Sequence, residues 1–376
     1  MTYNDATSRC WLEVDLDVIC ANYRSACEML GGNAQVIPVL KANAYGMNAV
    51  VIAENLKEEG ARCFAVATTD EAEQLIAAVP GIEVLPMGLA GDGAMERLIE
   101  KGMPLTLYSE QSGRRIAEAA RRVGKAARVH VKVDTGLHRI GLEPEGAADF
   151  VAELAGDGWI IPVGLYTHLA IHTEEMDRIQ VEKLCFVRDE LAARGISLEI
   201  VHAVDSIGMA HYPQYHLDAA RVGAWIYGVK PSGAGERSRC PARFKARVSQ
   251  VRRVKKGELI GYDDDHPLER DSIVATVSAG YVDGTPRLGE GWQAEVCGRR
   301  AGVIELACMD QLMLDVTDVP GVCEGDEVTF VGGLISVEEY SRMGRLNRNE
   351  AWARIGRRVP RVFFRNGESV RISAEV

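Results

Sequence analysis

The chain has 376 residues, 47% of them hydrophobic, enough for two domains or for one barrel with an appended domain. Its 43 basic against 54 acidic residues leave a net charge of −11 with no Lys/Arg tract, which argues against nucleic acid as a partner. No apolar run suits a membrane helix, the N-terminus lacks a signal-peptide pattern, and the nine scattered cysteines contain no Cys-x-x-Cys pair; the expectation is a cytoplasmic protein without membrane contact, disulfide framework or zinc site.

In chain order, residues 9–14 read as a strand ahead of the first helix, placed to pair with the second domain. Short apolar runs then alternate with helix-length segments: 36–40, 64–67, 84–87, 105–108, 129–133, 163–166, 198–201 and 220–224. Between them, Thr69 with Glu71 and Glu73 marks a capped helix start, and 109–123 and 176–193 carry apolar residues at helical spacing. Eight such runs predict an α/β fold, a (β/α)8 TIM-type barrel over 10–235. An open doubly wound sheet is the alternative, but it calls for a glycine-rich phosphate turn after the first strand, where this chain carries a lysine. After Tyr227-Gly228-Val229-Lys230-Pro231-Ser232-Gly233 the pattern changes to β segments with Gly/Asp turns, at 244–254, 273–277, 294–296, 311–316, 327–331 and 361–364. These predict a second, mostly β domain over 236–376.

Chemistry in parallel barrels gathers at the carboxyl ends of the strands, and several polar residues fall there. Lys41 ends the apolar run Val36-Ile37-Pro38-Val39-Leu40, with Tyr45 close behind. An amine so placed can form a Schiff base with an aldehyde cofactor, of which pyridoxal 5'-phosphate is the common one. Such a cofactor needs donors for its phosphate, a partner for its ring nitrogen and a cation for the substrate carboxylate. Lys132, Arg139, His168, Ser206 and Arg221 lie at or beyond other strand ends. Singly, a lysine there is more often a solvated strand end, a histidine a structural residue, and an arginine an ion-pair partner. Together they are poorly explained as scaffold. Asp263-Asp264-Asp265 reads as an exposed acidic turn rather than a metal site, and Cys308 as a small core residue.

The motifs are Lys41-Ala42-Asn43-Ala44-Tyr45-Gly46, Lys132-Val133-Asp134-Thr135-Gly136 followed by His138-Arg139-Ile140-Gly141, Tyr166-Thr167-His168, Arg221-Val222-Gly223, Gly280-Tyr281-Val282-Asp283-Gly284 and Cys308-Met309-Asp310-Gln311. In this order the chain resembles the bacterial alanine racemases, fold-type III pyridoxal-phosphate enzymes, over nearly its whole length. The resemblance implies that Lys41 carries the cofactor and serves as acid or base for D-alanine, with Tyr281 serving L-alanine on the opposite face. It implies that Tyr45, Ser206 and the Gly223 amide bind the phosphate, and that Arg221 faces the ring nitrogen. His168 would lie between Arg221 and Tyr281. Arg139 and the Met309 amide would bind the substrate carboxylate, supported by Lys132, often carbamylated in this family, and by Asp310. Tyr281 and Met309 would serve the neighbouring subunit, so catalysis would require a homodimer. The family role is supply of D-alanine to peptidoglycan.

Departures bear on the substrate. Met47-Asn48 replaces the usual His-Gly, Ala224 stands where isoleucine is frequent, and Asp205 where asparagine is frequent. Arg357 occupies a position where some relatives carry a tyrosine lining the substrate entrance. Serine, one hydroxyl larger than alanine, is therefore the alternative substrate, as in racemases of the vancomycin-resistance type, where the chain would be the catalytic part of a longer membrane protein. A non-catalytic pyridoxal-phosphate-binding module resembles only the barrel half, so Tyr281 and Met309 argue against it. A fold-type III decarboxylase would place an acid, not Arg221, at the ring nitrogen.

Overall fold

The computed structural model describes residues 1–32, 34–229, 237–262, 267–287, 291–304 and 306–373. The expected junction at 235/236 and the acidic turn at 263–265 lie outside these residues. The first strand, β1 (Cys10–Asp15), precedes eight parallel strands: β2 (Gln35–Pro38), β3 (Cys63–Val66), β4 (Glu83–Pro86), β5 (Leu105–Leu107), β6 (Ala127–Lys132), β7 (Ile160–Tyr166), β8 (Ile200–Asp205) and β9 (Ala219–Val222). Six pair in the order β2-β9-β8-β7-β6-β5, and β3 pairs with β4. A Val39–Ala65 bridge links β2 to β3, and the Thr106 hydroxyl donates to Pro86 O at 2.8 Å between β5 and β4. The ring is thus a (β/α)8 barrel.

These strands read as apolar runs because both faces are covered, one by the barrel interior and one by helices. The helices carry their own punctuation. Ser109 caps Glu110–Val123 and Gly124 ends it in a left-handed turn. The helix at 69 is capped one residue earlier than expected. Thr68 accepts from Glu71 N, and the Glu71 carboxylate reaches back to the Thr68 N–H in a capping box.

The second sheet has nine strands, with β10 (Ala242–Val254), β11 (Ser272–Val277), β12 (Gln293–Val296), β13 (Arg299–Ile304), β14 (Leu312–Asp315), β15 (Glu327–Val331), β16 (Arg361–Arg365) and β17 (Glu368–Ser373) joining β1. β10 pairs with β15 through its first half and with β11 through its second, the register shifting between Val248 and Gln250. That shift lets one strand close a six-stranded ring, β10-β11-β14-β13-β12-β15. β1 pairs antiparallel with β10 and parallel with β16, so the chain begins in this sheet before entering the barrel. A continuous core runs from Ile52 and Leu98 under the barrel helices through Trp225 to Phe244, Phe330 and Trp352.

Candidate active site

The backbone after β2 is unusual. Ala42, Asn43, Ala44 and Tyr45 all have φ of 54°, with ψ of 46–52° for the first three, which makes a left-handed turn of four L-residues. Each such residue costs about 1–2 kcal/mol. The turn is held from outside. Ala42 N donates to the Glu71 carboxylate at 2.6 Å, the Asn43 side chain accepts from Ala49 N at 2.8 Å, and Arg361 from β16 donates to Gly46 O at 2.8 Å. Lys41 is thereby set at the barrel mouth, where it lines a cavity.

A cavity of about 360 Å³ opens there, lined by Lys41, Tyr45, Lys132, Arg139, Tyr166, His168, Ser206, Arg221, Gly223 and Asn349, among others. Burial, with Arg139 nearby, holds the Lys41 amine below its ordinary value. Ser206 Oγ accepts from Gly223 N at 3.1 Å and from Trp225 N at 3.2 Å, leaving its O–H to donate. The Tyr45 hydroxyl approaches Gly223 so closely that a Cβ there would fall 2.5 Å from it. Burial pushes the Tyr45 phenol up to about 12, so it stays a donor. Asp205, one of the departures, caps the next helix through Ile207 N and Gly208 N and is thus spent on holding Ser206 in place.

Arg221, in register with Ile37, spans the barrel interior. Its terminal nitrogens donate to His202 Nδ1 at 2.6 Å, Thr167 O at 2.7 Å, Ala203 O at 2.9 Å and His168 Nδ1 at 3.3 Å. Its Nε–H has no partner among the described residues, although the side chain lines the cavity. Burial lowers Arg221 only to about 10, so it stays charged. Burial, then Arg221 and Arg139, push His168 down to about 3. A neutral His168 that accepts at Nδ1 can donate only from Nε2. Lys132 is pushed down to about 7 by burial and by Arg221; its amine donates to Val133 O at 3.0 Å and makes no hydrogen bond to Arg139. Arg139 is exposed at the cavity rim and has no ion-pair partner among the described residues.

Three expected site residues stand apart. Tyr281 and Met309 do not line this cavity and are 37% and 53% exposed. Their loops are joined, since Tyr281 N donates to Cys308 O at 3.1 Å and Val282 N to Met309 O at 3.2 Å. Beneath them the fully buried Asp283 receives Arg9 at 2.7 Å and Arg358 at 2.8 Å, and Arg358 also pairs with Asp310. Burial would raise the Asp283 carboxyl, but these hydrogen bonds outweigh it and hold it low. Arg357 lines a neighbouring cavity with Ala42 and Asn43, not the one holding Lys41.

Sequence reading missed Glu71, Asn349, His202, Arg361 and the Arg9–Asp283–Arg358 brace. A histidine inside the apolar strand Ile200–Asp205 was the one readable signal, because such a group needs a partner. The others meet the site across long stretches of chain.

The donors suit pyridoxal phosphate. Two hydroxyls at one end fit a phosphate, an unpartnered guanidinium N–H fits an unprotonated ring nitrogen, and an amine with a lowered pKa fits the aldehyde.

Models of the alanine racemase N-terminal and C-terminal domains match residues 14–231 and 242–363. The chain is 34% identical to an alanine racemase of Desulforamulus reducens, over 94% of this chain and 98% of that one. It is 32% identical to alanine racemase 1 of Caldanaerobacter subterraneus, over 95% of each. Solved structures that resemble it include an alanine racemase of Clostridium difficile (TM-score 0.93, 29% identity, 97% and 98% of the two chains). Another is the Bartonella henselae alanine racemase with covalently bound pyridoxal phosphate (TM-score 0.86, 26% identity, 95% and 99%). Matches to both domains in order, with relatives above 30% identity along almost their full length, make this chain a member of the alanine racemase family.

Proposed function

We propose that the chain interconverts L- and D-alanine using pyridoxal phosphate held by Lys41, as a homodimer. The observation that carries the reading is the unpartnered Arg221 Nε–H in the same cavity as Lys41 and the Tyr45–Ser206–Gly223 cradle. When bound, the cofactor withdraws electrons from the substrate Cα–H bond. The protein does the rest. Tyr45 and Ser206 fix one end by its phosphate, the Gly223 amide holding Ser206 Oγ in place rather than reaching the phosphate itself, and Arg221 fixes the other. Because Arg221 remains charged, it donates to the ring nitrogen without protonating it, which limits electron withdrawal and restrains transamination. Arg139 receives the substrate carboxylate, joined by the Met309 amide, which Asp310 supports. Lys41 Nζ exchanges the α-proton on one face.

Inversion needs a second acid/base group on the other face, and the other titratable groups lining this cavity have separate tasks: Tyr166 is tied to Thr106, Lys132 to Val133, His168 to Arg221, Asp205 to the helix after it, and Tyr45 to the phosphate. Tyr281 Oη of a second copy supplies it, with the Met309 loop arriving on the same exposed surface. His168, donating from Nε2, favours the phenolate form of that tyrosine.

The test is α-proton exchange in D2O with L-alanine and L-serine in parallel, followed by chiral analysis. Exchange with inversion on alanine is expected. Exchange faster on serine would assign the serine reading, which Ala224 in the cavity wall favours by its small side chain. No exchange on either, with cofactor bound, would overturn the racemase reading, and a fully active monomer in sedimentation would overturn the shared site.

A further inference from the structure

Barrel interiors are ordinarily filled by layers of branched apolar side chains. Here three polar residues run in series along the axis. Arg221 donates to His202 Nδ1 at 2.6 Å, and His202 Nε2 lies 3.1 Å from His130 Nδ1. Both rings are buried, His202 completely. The ring of His130 also lines a cavity of about 250 Å³ at the opposite, N-terminal end of the barrel, with Gln35, Arg62, Cys63, Glu83 and Glu199.

The direction of every proton follows from Arg221. A guanidinium has donors only, so His202 Nδ1 must accept. The proton of the neutral His202 ring is then on Nε2, which donates to His130 Nδ1, and His130 in turn keeps its proton on Nε2. That nitrogen has no protein partner among the described residues. Burial agrees with two neutral rings, since it pushes His130 down to about 3 and His202 well below its ordinary value.

The surroundings are built for this series. Tyr166 stacks on His202 with ring centroids 4.8 Å apart and planes at 13°, and its hydroxyl is tied to Thr106 at 3.2 Å. Space for His130 exists because residue 164 is glycine. A Cβ there would fall 2.4 Å from His130 Nδ1.

We propose that His202 and His130 are positioning residues, a one-way hydrogen-bond relay that locks the tautomer facing Arg221 and so leaves its Nε–H as the donor for the cofactor ring. If His130 no longer accepts, the His202 Nε2–H is left buried without a partner, and that cost works against the tautomer that Arg221 imposes; a ring that moves its proton to Nδ1 then meets an Arg221 N–H donor to donor. The guanidinium must shift, and the ring nitrogen loses a fixed partner. The role in turnover rests on the reading of Arg221 as the cofactor's partner; the tautomers do not.

The experiment is 15N NMR of histidine-labelled full-length protein, with and without pyridoxal phosphate, alongside kinetics of His130→Leu and His130→Gln. Expected are Nε2–H tautomers for both rings, unchanged between about pH 6 and about pH 9. His130→Leu should mix the His202 tautomers and lower kcat about tenfold with KM changed less than about twofold. His130→Gln, whose side-chain carbonyl can accept from His202 Nε2, should restore both. An Nδ1–H tautomer of His202 in the unaltered protein overturns the relay, even if the leucine variant fails to fold. So does equal loss in the two variants, or no loss in either. Correct tautomers in a protein that fails the exchange test above would sink the racemase reading instead.

Discussion

Lys132 gives the sharpest quantitative expectation. An ordinary lysine, with a pKa of 10.5, is neutral in about one molecule in 3000 at pH 7, whereas an amine pushed to about 7 is neutral in about half. Only the neutral amine attacks carbon dioxide, so Lys132 is more than about a thousandfold better prepared than a surface lysine to become a carbamate. Its surroundings favour the anion that results, because Arg221 and Arg139 are among the charges that now disfavour the ammonium. The perturbation is pH in the presence of 13C-bicarbonate, read by 13C NMR. A protein carbamate signal should grow from about pH 6 to about pH 8 and vanish in Lys132→Met. The bare amine has a stability signature as well. Below about pH 7 it is protonated in both states, and the buried ammonium costs stability in full. Between about 7 and 10.5 the unfolded chain binds the extra proton, so stability rises with pH, by about 5 kcal/mol at most. In CO2-free buffer Lys132→Met should therefore be more stable than the unaltered protein at pH 6, and lose that advantage toward pH 10. A carbamate signal independent of pH, or one that survives Lys132→Met, would refute the reasoning.

Three further outcomes are expected. Tyr281→Phe should retain the visible absorption of the lysine-bound cofactor while α-proton exchange starting from L-alanine falls by about two orders of magnitude or more; full activity would remove Tyr281 from its role. Gly223→Ala should push the Tyr45 hydroxyl back by about an ångström and weaken cofactor affinity about tenfold or more in equilibrium dialysis, with the fold retained. Asp283→Asn should lower stability to urea by about 2 kcal/mol, toward the small end for a buried pair because both arginines are partly exposed, and should reduce self-association by loosening the Tyr281 and Met309 loops.

The barrel was legible because parallel strands buried on both faces read as apolar runs, and even the three-residue Leu105–Leu107 stood out. The motif residues of the cavity were legible too, at strand ends or in the turns just beyond them. β13 was not, since Arg299-Arg300 opens it, and neither was β17, a charged and largely exposed edge strand. The short helices Val337–Met343 and Arg348–Ala353 carry too few turns to show a period, yet Asn349 from the second reaches the cavity. Asp283 looks like an ordinary turn residue until Arg9 and Arg358 are brought to it from the two ends of the chain. No local rule predicts the left-handed turn, because alanine and tyrosine disfavour it and only distant groups enforce it.

That turn has a consequence for synthesis. A D-residue at φ of +54° occupies the mirror image of the right-handed helical well, so what is strained for L-alanine at 42 and 44 is relaxed for its enantiomer. At the exposed position 42, where the inverted Cβ meets no packed core, a chain assembled by ligation with D-alanine sheds about 1–2 kcal/mol of strain. The segment that presents Lys41 is thus a natural acceptor for the very enantiomer whose formation the protein is proposed to catalyse.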